Sequence, residues 1–394
     1  EDKTIKRLKE FTVEAKKQFF SDGAHFEMAT VYHRLCMDFI AIVLALDFRA
    51  RGEKYDQELL SIFERGVRFS ESISSNHIIV PFGDFDSGHV VWLGDEDRNG
   101  EYLSQFYSVL TNNDFSGELK YKTLFFSSLA GFQPQEREVS NRSTLSVYNR
   151  SGFLSSHVDS FLAVTRIGDQ GLEGKASHDH DDALHTWLSF KGEDILIDVG
   201  CKPYSLDNEI RKNCIVSSAH NVIKVVNKER FRPFLGSIVN TVRGASVASK
   251  NSHSLEKDVC VLKASLDVQE NLDFESVDRC VKTSKSKSEY LCEITDTWSL
   301  KEKDKIEVYW RFSAQKSPNI IKDKEKSKRI TFDLDISTVE VEFESPINFD
   351  LNIFEFDFSS RYGSKDKCYG ARLIFDQSKR GEAITKVYLN EIKR

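Results

Sequence analysis

Residues 177–200 read SHDHDDALHTWLSFKGEDILIDVG, and this stretch decides the fold class. Two apolar runs, LHTWLSF and DILID, flank Lys191-Gly192-Glu193, which reads as a turn. The pair is expected to form a hairpin that returns Asp198 toward the start of its first strand. His178 and His180 stand two apart, so on an extended segment they point the same way. A third imidazole, His220, opens the next strand, in SSAHNVIKVV (217–226). His180, Asp198 and His220 are therefore expected to converge. Two imidazoles and a carboxylate suit Zn²⁺, with positions left open for water or substrate. His178 points into the same space, as a support or as a catalytic group. A histidine on a strand is most often a surface or satisfied core group. What adds specificity here is the Asp and the third His, each at a strand end.

Outward from this block, the period of the sequence separates two regions. After about Phe132 come short apolar runs with turn residues between them: STLSVYNRSG, DSFLAVTRIG, HNVIKVV, KDVCVLKASLD, SEYLCEITDTWSL, KIEVYWRFSA, STVEVEFES and ARLIFDQS. Ten or more such runs without intervening helices predict an antiparallel sandwich. Before it the apolar period is helical. Ile5, Leu8, Phe11, Ala15 and Phe19 recur at three and four, up to Asp22-Gly23. MATVYHRLCMDFIAIVLALDFRA, DQELLSIFERGVRFSESIS and EYLSQFYSVLT predict three further helices. The fold class is thus α+β and multidomain, with a helical domain over 1–130 and a large antiparallel β-domain over 131–394.

Composition limits the function. The chain has 394 residues, 40% of them hydrophobic, enough for two cores. Its 55 basic and 62 acidic residues give a net charge of −7, which disfavours nucleic-acid binding. The longest apolar run, Phe39 to Leu46, is bounded by Asp38 and Asp47 and is too short to span a bilayer. Seven scattered cysteines without a CxxC pair predict free thiols, not a disulfide scaffold or a zinc ribbon. The chain opens on Glu1 without a charged-then-apolar leader, so compartment is not legible there.

Two further groups lie in the helical half. In SDGAHFEMATVYHRL, Glu27 sits at the opening turn of a helix, where a carboxylate is favoured. Tyr32 and His33 follow within it, and alone they read as packing residues. GDFDSG (83–88) offers Asp84 and Asp86 but lacks the twelve-residue calcium-loop spacing, so it reads as a hydrogen-bonded structural loop.

Taken in order, these motifs resemble the heparinase II/III family of polysaccharide lyases. DGAHFEMATVYH is similar to that family's helix carrying DG-x-x-x-E and Tyr-His. GDFDSG is similar to its GD-x-D-x-G loop. SHDHDD, the hairpin ending in DVG, and AHN resemble its most distinctive block. The likeness spans roughly residues 20–225.

The resemblance implies an incomplete (α/α) toroid packed on an antiparallel β-sandwich, with an active cleft between them. It implies β-elimination on a uronic-acid-containing acidic polysaccharide such as a glycosaminoglycan or alginate. Carried over by position, it gives Tyr32, His178 and Tyr204 as catalytic. Glu27, His33 and Arg211 become substrate contacts, and His180, Asp198 and His220 the ligands of one zinc ion, mainly structural. A periplasmic or secreted setting is implied as well. Two departures stand out. Ser177 replaces the glycine that opens the family's HxHxD block. The Asn or Asn-His pair that neutralises the substrate carboxylate lies some fifty residues before the Tyr-His helix, farther than this chain extends. Arg211, Lys212, Lys228, Arg230 and Arg232 could offset the acidic net charge near a cleft, or be solvated surface charges. Two other functions remain open: a non-catalytic carbohydrate-binding or glycan-assembly protein with a structural zinc, and a zinc-dependent hydrolase. Oligomeric state is not legible.

Overall fold

The computed structural model describes residues 3–94, 98–112, 114–133, 135–136, 144–168, 171, 178–200, 213–226, 232–234, 241–243, 248–256, 259–266, 273–286 and 289–392. Five α-helices come first: α1 (Lys3–Gln18), α2 (Thr30–Arg51), α3 (Gln57–Ser72), α4 (Glu101–Asn112) and α5 (Tyr121–Ala130). Their boundaries follow from local chemistry. The Asp56 carboxylate caps α3, accepting from the backbone N–H of Glu58 and Leu59, both at 3.0 Å. Gly131, at φ 91°, closes α5 in the left-handed conformation. Met37, Ile40, Leu44, Leu59, Phe63, Phe106 and Phe126 fill the core between the helices.

Helix α5 escapes the sequence reading. Its buried face carries Lys122, Thr123 and Ser127, while Leu124 and Phe125 are exposed. Phe126 and Ala130 are buried as well, so apolar residues lie on both faces and no hydrophobic stripe marks the helix. Burial of Lys122 is satisfied by Asp38 of α2, 3.1 Å away, with neither side chain exposed.

Among the described residues, the remainder is dominated by a fifteen-stranded antiparallel sheet, beside a separate two-stranded ribbon, Arg232–Phe234 with Thr241–Arg243. The spine of the large sheet is two long strands, Glu289–Phe312 and Asp366–Glu391, paired with each other. Pairing is irregular between Ser299 and Ile306, facing a segment where Gln377 has φ 51°. Such a bulge bends a strand. On one side of it the spine carries Phe274–Ser286 at one edge and Ser337–Glu344 at the other. On the other side it carries Ile223–Val225 and Asp350–Phe358. There Phe312 also pairs with Leu196, joining the spine to the hairpin Thr186–Phe190/Glu193–Leu196. Two of the runs expected as separate strands, SEYLCEITDTWSL and KIEVYWRFSA, are consequently one strand interrupted by a bulge. Tyr290, Cys292, Ile294, Trp298 and Leu300 alternate inward along it, with period two.

Helices and sheet share an apolar boundary. Phe69, Ile73, Ile79, Val80 and Phe82 pack against Phe153, Leu162, Val164, Trp187 and Ile197. Polar clamps fix the register. Asp22 accepts from the backbone N–H of Arg150 and Ser151, both at 2.9 Å, and Arg98 pairs with Asp194 at 2.6 Å. The six cysteines among the described residues form no disulfide with one another.

Candidate active site and metal centre

The hairpin forms as its turn residues dictate. Lys191 (φ 50°) and Gly192 (φ 86°) both take positive φ, the geometry of a tight two-residue turn. This returns Asp198 to the strand start, while the segment after the 3₁₀ turn Ser217–Ala219 delivers His220. His180, Asp198 and His220, all buried, offer ligand atoms within 4.8 Å of one another. The His180 and His220 ring centroids are 5.2 Å apart, and His220 Nδ1 lies 3.6 Å from Asp198 Oδ2. The convergence expected from spacing is therefore present.

The loop 83–88 supplies what the sequence reading understated. Asp84 Oδ1 lies 3.1 Å from His180 Nε2, and Asp84 Oδ2 lies 3.1 Å from His178 Nδ1. One carboxylate thus orients both imidazoles of the HxH pair. A carboxylate accepts, so His180 carries its proton on Nε2 and keeps Nδ1 for another partner. Nδ1 is buried and has no hydrogen-bond partner among the described residues. A buried lone pair left over beside a second imidazole and a carboxylate fits a divalent metal. Burial works against charging His180, but the Asp84 bond and the Asp84, Asp182 and Asp198 carboxylates outweigh it and raise its pKa.

Close approach of this loop requires Gly83. It sits at φ 72°, and a Cβ there would lie 2.7 Å from the His178 carbonyl oxygen. The Asp84 N–H then donates to that same carbonyl at 2.8 Å.

From the helical side, α2 brings Tyr32 to His178, with ring centroids 4.6 Å apart. The Tyr32 hydroxyl donates to Asp86 Oδ2 at 2.9 Å. Glu27 lies in the turn before α2, not in the helix, close enough to feel the charges of His178 and Asp84. Burial raises its pKa, His178 lowers it and Asp84 raises it, for a net upward shift.

His33 is not brought to this group. Helical geometry turns it some 100° from Tyr32. Its ring is buried between Phe19 and Phe69, with Nδ1 accepting from the His25 N–H at 3.2 Å and Nε2 3.0 Å from Ser70 Oγ. Burial pulls its pKa down to about 4. The substrate contact expected of His33 is corrected to a place in the helical core. Tyr204 and Arg211 lie outside the described residues, as do Lys212, Lys228 and Arg230.

Residues 141–360 match the profile described as heparinase II/III-like, C-terminal, and residues 2–113 match that of the heparinase II/III N-terminus. The chain belongs to the heparinase II/III family. Among solved structures it is similar to the heparan sulfate lyase HepC from Pedobacter heparinus (TM-score 0.70, 18% identity, 97% of this chain and 55% of that one). Two heparinase III structures are also similar, one with TM-score 0.69 and 14% identity, over 98% of this chain and 55% of that one. The other has TM-score 0.65 and 14% identity, over 98% and 57%. The chain thus spans about half the length of these structures. No curated protein matches it by sequence. In this family member, Asp84 is the residue that sequence reasoning placed in a merely structural loop. Its signal was present in GDFDSG, but only the fold puts that loop against the HxH pair.

Proposed function

We propose that this chain carries the catalytic site of a polysaccharide lyase that cleaves a uronate-containing acidic polysaccharide by β-elimination. One observation carries the reading: a phenol from the helical half and an imidazole from the sheet meet at Tyr32 and His178, each held by a carboxylate of the same loop.

The carboxylates divide the labour. Asp84 holds His178 with its proton on Nδ1, which leaves the lone pair on Nε2 for a general base. Asp86 accepts from the Tyr32 hydroxyl, which favours the protonated phenol, the state a general acid needs. His178 Nε2 takes the C5 proton beside the uronate carboxylate. The C5–H electrons form the C4–C5 double bond, and the glycosidic oxygen leaves C4 with the proton of Tyr32. Glu27, beside His178, is a substrate contact. Tyr204 keeps its proposed role as a second active-site tyrosine, and Arg211 its proposed role as a contact to the acidic sugar. His180, Asp198 and His220 hold a divalent ion, with zinc the choice their donor atoms favour. When bound, the ion would supply rigidity, fastening the loop that carries His180 to the segments that carry Asp198 and His220.

The full-length polypeptide, incubated with heparan-type chains and with alginate, should raise ultraviolet absorbance from the unsaturated product, and Tyr32→Phe should abolish the rise. Glycan binding without any such rise, unchanged by Tyr32→Phe, favours the non-catalytic reading instead. A saturated product that vanishes with chelation favours a hydrolase.

A further inference from the structure

Asn221 follows the ligand His220, is fully buried, and has all its hydrogen-bonding groups in use. Its side-chain NH₂ donates to two carbonyls, Thr186 O at 3.1 Å and Ile197 O at 2.9 Å. Its side-chain oxygen accepts from the backbone N–H of Arg311 at 2.7 Å. Its own N–H donates to His185 Nδ1 at 2.9 Å, and its carbonyl accepts from Arg279 at 2.5 Å.

These partners sit beside the metal ligands. Ile197 precedes Asp198. His185 and Thr186 end the loop that begins at His180. Arg311 closes the circuit, reaching the carbonyl of His220 at 3.3 Å and that of Ser218. It does so with Tyr309, Phe354 and Phe356 packed round its guanidinium, 5.3–5.6 Å away. One carboxamide therefore ties both arms of the hairpin, at Thr186 and Ile197, to Arg311 of the long strand, with Ile197 next to Asp198 and Asn221 itself next to His220.

We propose that Asn221 is the positioning residue of the metal centre: its amide sets the spacing of Asp198 and His220 before the ion arrives. The inference rests on the metal reading above. The chemistry admits few substitutes. Two carbonyls and one N–H demand two donors and one acceptor on a short planar group, which asparagine alone offers. Aspartate would set a carboxylate oxygen against two carbonyl oxygens. Serine is too short to reach both.

Asn221→Asp and Asn221→Ser test it through zinc affinity, measured by competition with a chromophoric chelator, and through melting temperature without and with zinc. Support is a loss of zinc affinity of about 10–100-fold, the range found when groups supporting metal ligands are removed, together with a smaller rise in melting temperature on zinc addition than in the parent. A merely structural Asn221 lowers both melting temperatures equally and leaves the affinity unchanged, and that result overturns the inference. If neither variant folds, Asn221→Gln, which keeps the same donors and acceptor but displaces them by one methylene, reads the same spacing. Parent-like zinc affinity there also counts against it. A parent protein that binds no zinc sinks the metal reading itself, which is a distinct outcome.

Discussion

Asp84 and His180 are joined carboxylate to imidazole at 3.1 Å across the boundary between helices and sheet. The same carboxylate holds His178 at 3.1 Å. The candidate metal group and the proposed acid–base pair are thus coupled through one side chain. Asp84→Asn keeps the volume but replaces an acceptor-only group. It should lower lyase turnover by about 10²-fold or more, the scale of losing one positioned acid–base partner. Zinc affinity should fall with it, by about tenfold or more. A variant that loses turnover but keeps parent-like zinc binding would show that the coupling is not mechanical.

Tyr32→Phe separates chemistry from folding. The hydroxyl donates to Asp86, and Tyr32 is only half-buried. Its removal should cost about 1 kcal/mol of stability, and turnover should fall by about 10²–10⁴-fold. Chemical denaturation and the ultraviolet assay, run side by side, check this. Turnover within a few-fold of the parent removes Tyr32 from the mechanism.

Gly83→Ala tests how closely the loop must approach. The new methyl would lie 2.7 Å from the His178 carbonyl and 3.1 Å from the Ala29 Cβ, on a backbone already at φ 72°. Left-handed strain alone costs about 1–2 kcal/mol. Melting temperature should drop, and turnover should drop further than stability explains, because both Asp84 bonds depend on this approach.

Acid should destabilise the helical core. Burial lowers the pKa of His33 to about 4 and, with the neighbouring His33 charge, that of His25 to about 3. Both lie below the ordinary 6.5 of an unfolded histidine, so the unfolded chain binds more protons between those values. The stability from keeping these rings neutral is complete above pH 6.5 and is lost as pH falls toward 4 and 3. Melting temperature recorded from pH 7 to pH 4 should fall, and His33→Gln should flatten part of that fall. Parallel curves for the two proteins would exclude His33 as a contributor.

Lys122→Met probes the ion pair that seats α5. It strands the buried carboxylate of Asp38, which also accepts from Tyr102. Breaking one side of a buried pair costs about 3–5 kcal/mol. Denaturant titration should show it, and the double variant Lys122→Met/Asp38→Asn should recover part of the loss.

Local patterns were enough to read much of this molecule. Period-two and period-3.6 hydrophobicity separated sheet from helix. The turn at Lys191-Gly192 set the hairpin, and the hairpin set Asp198 beside the HxH pair, because a strand pair returns the chain on itself. The metal group was legible for that reason. Three features were not. Helix α5 hides because it buries a lysine against a distant aspartate. The long bent strand reads as two because a bulge breaks its alternation. His33 and Tyr32 are adjacent in sequence, yet one ring is buried among the helices and the other meets His178 across the boundary with the sheet. Only the tertiary structure decided which face of α2 meets the sheet, and hence that Asp84 holds His178 and Asp86 holds Tyr32. Sequence spacing encodes the direction of a side chain within its own element. What that direction meets depends on how separate elements pack, and packing is decided by surfaces that are far apart along the chain.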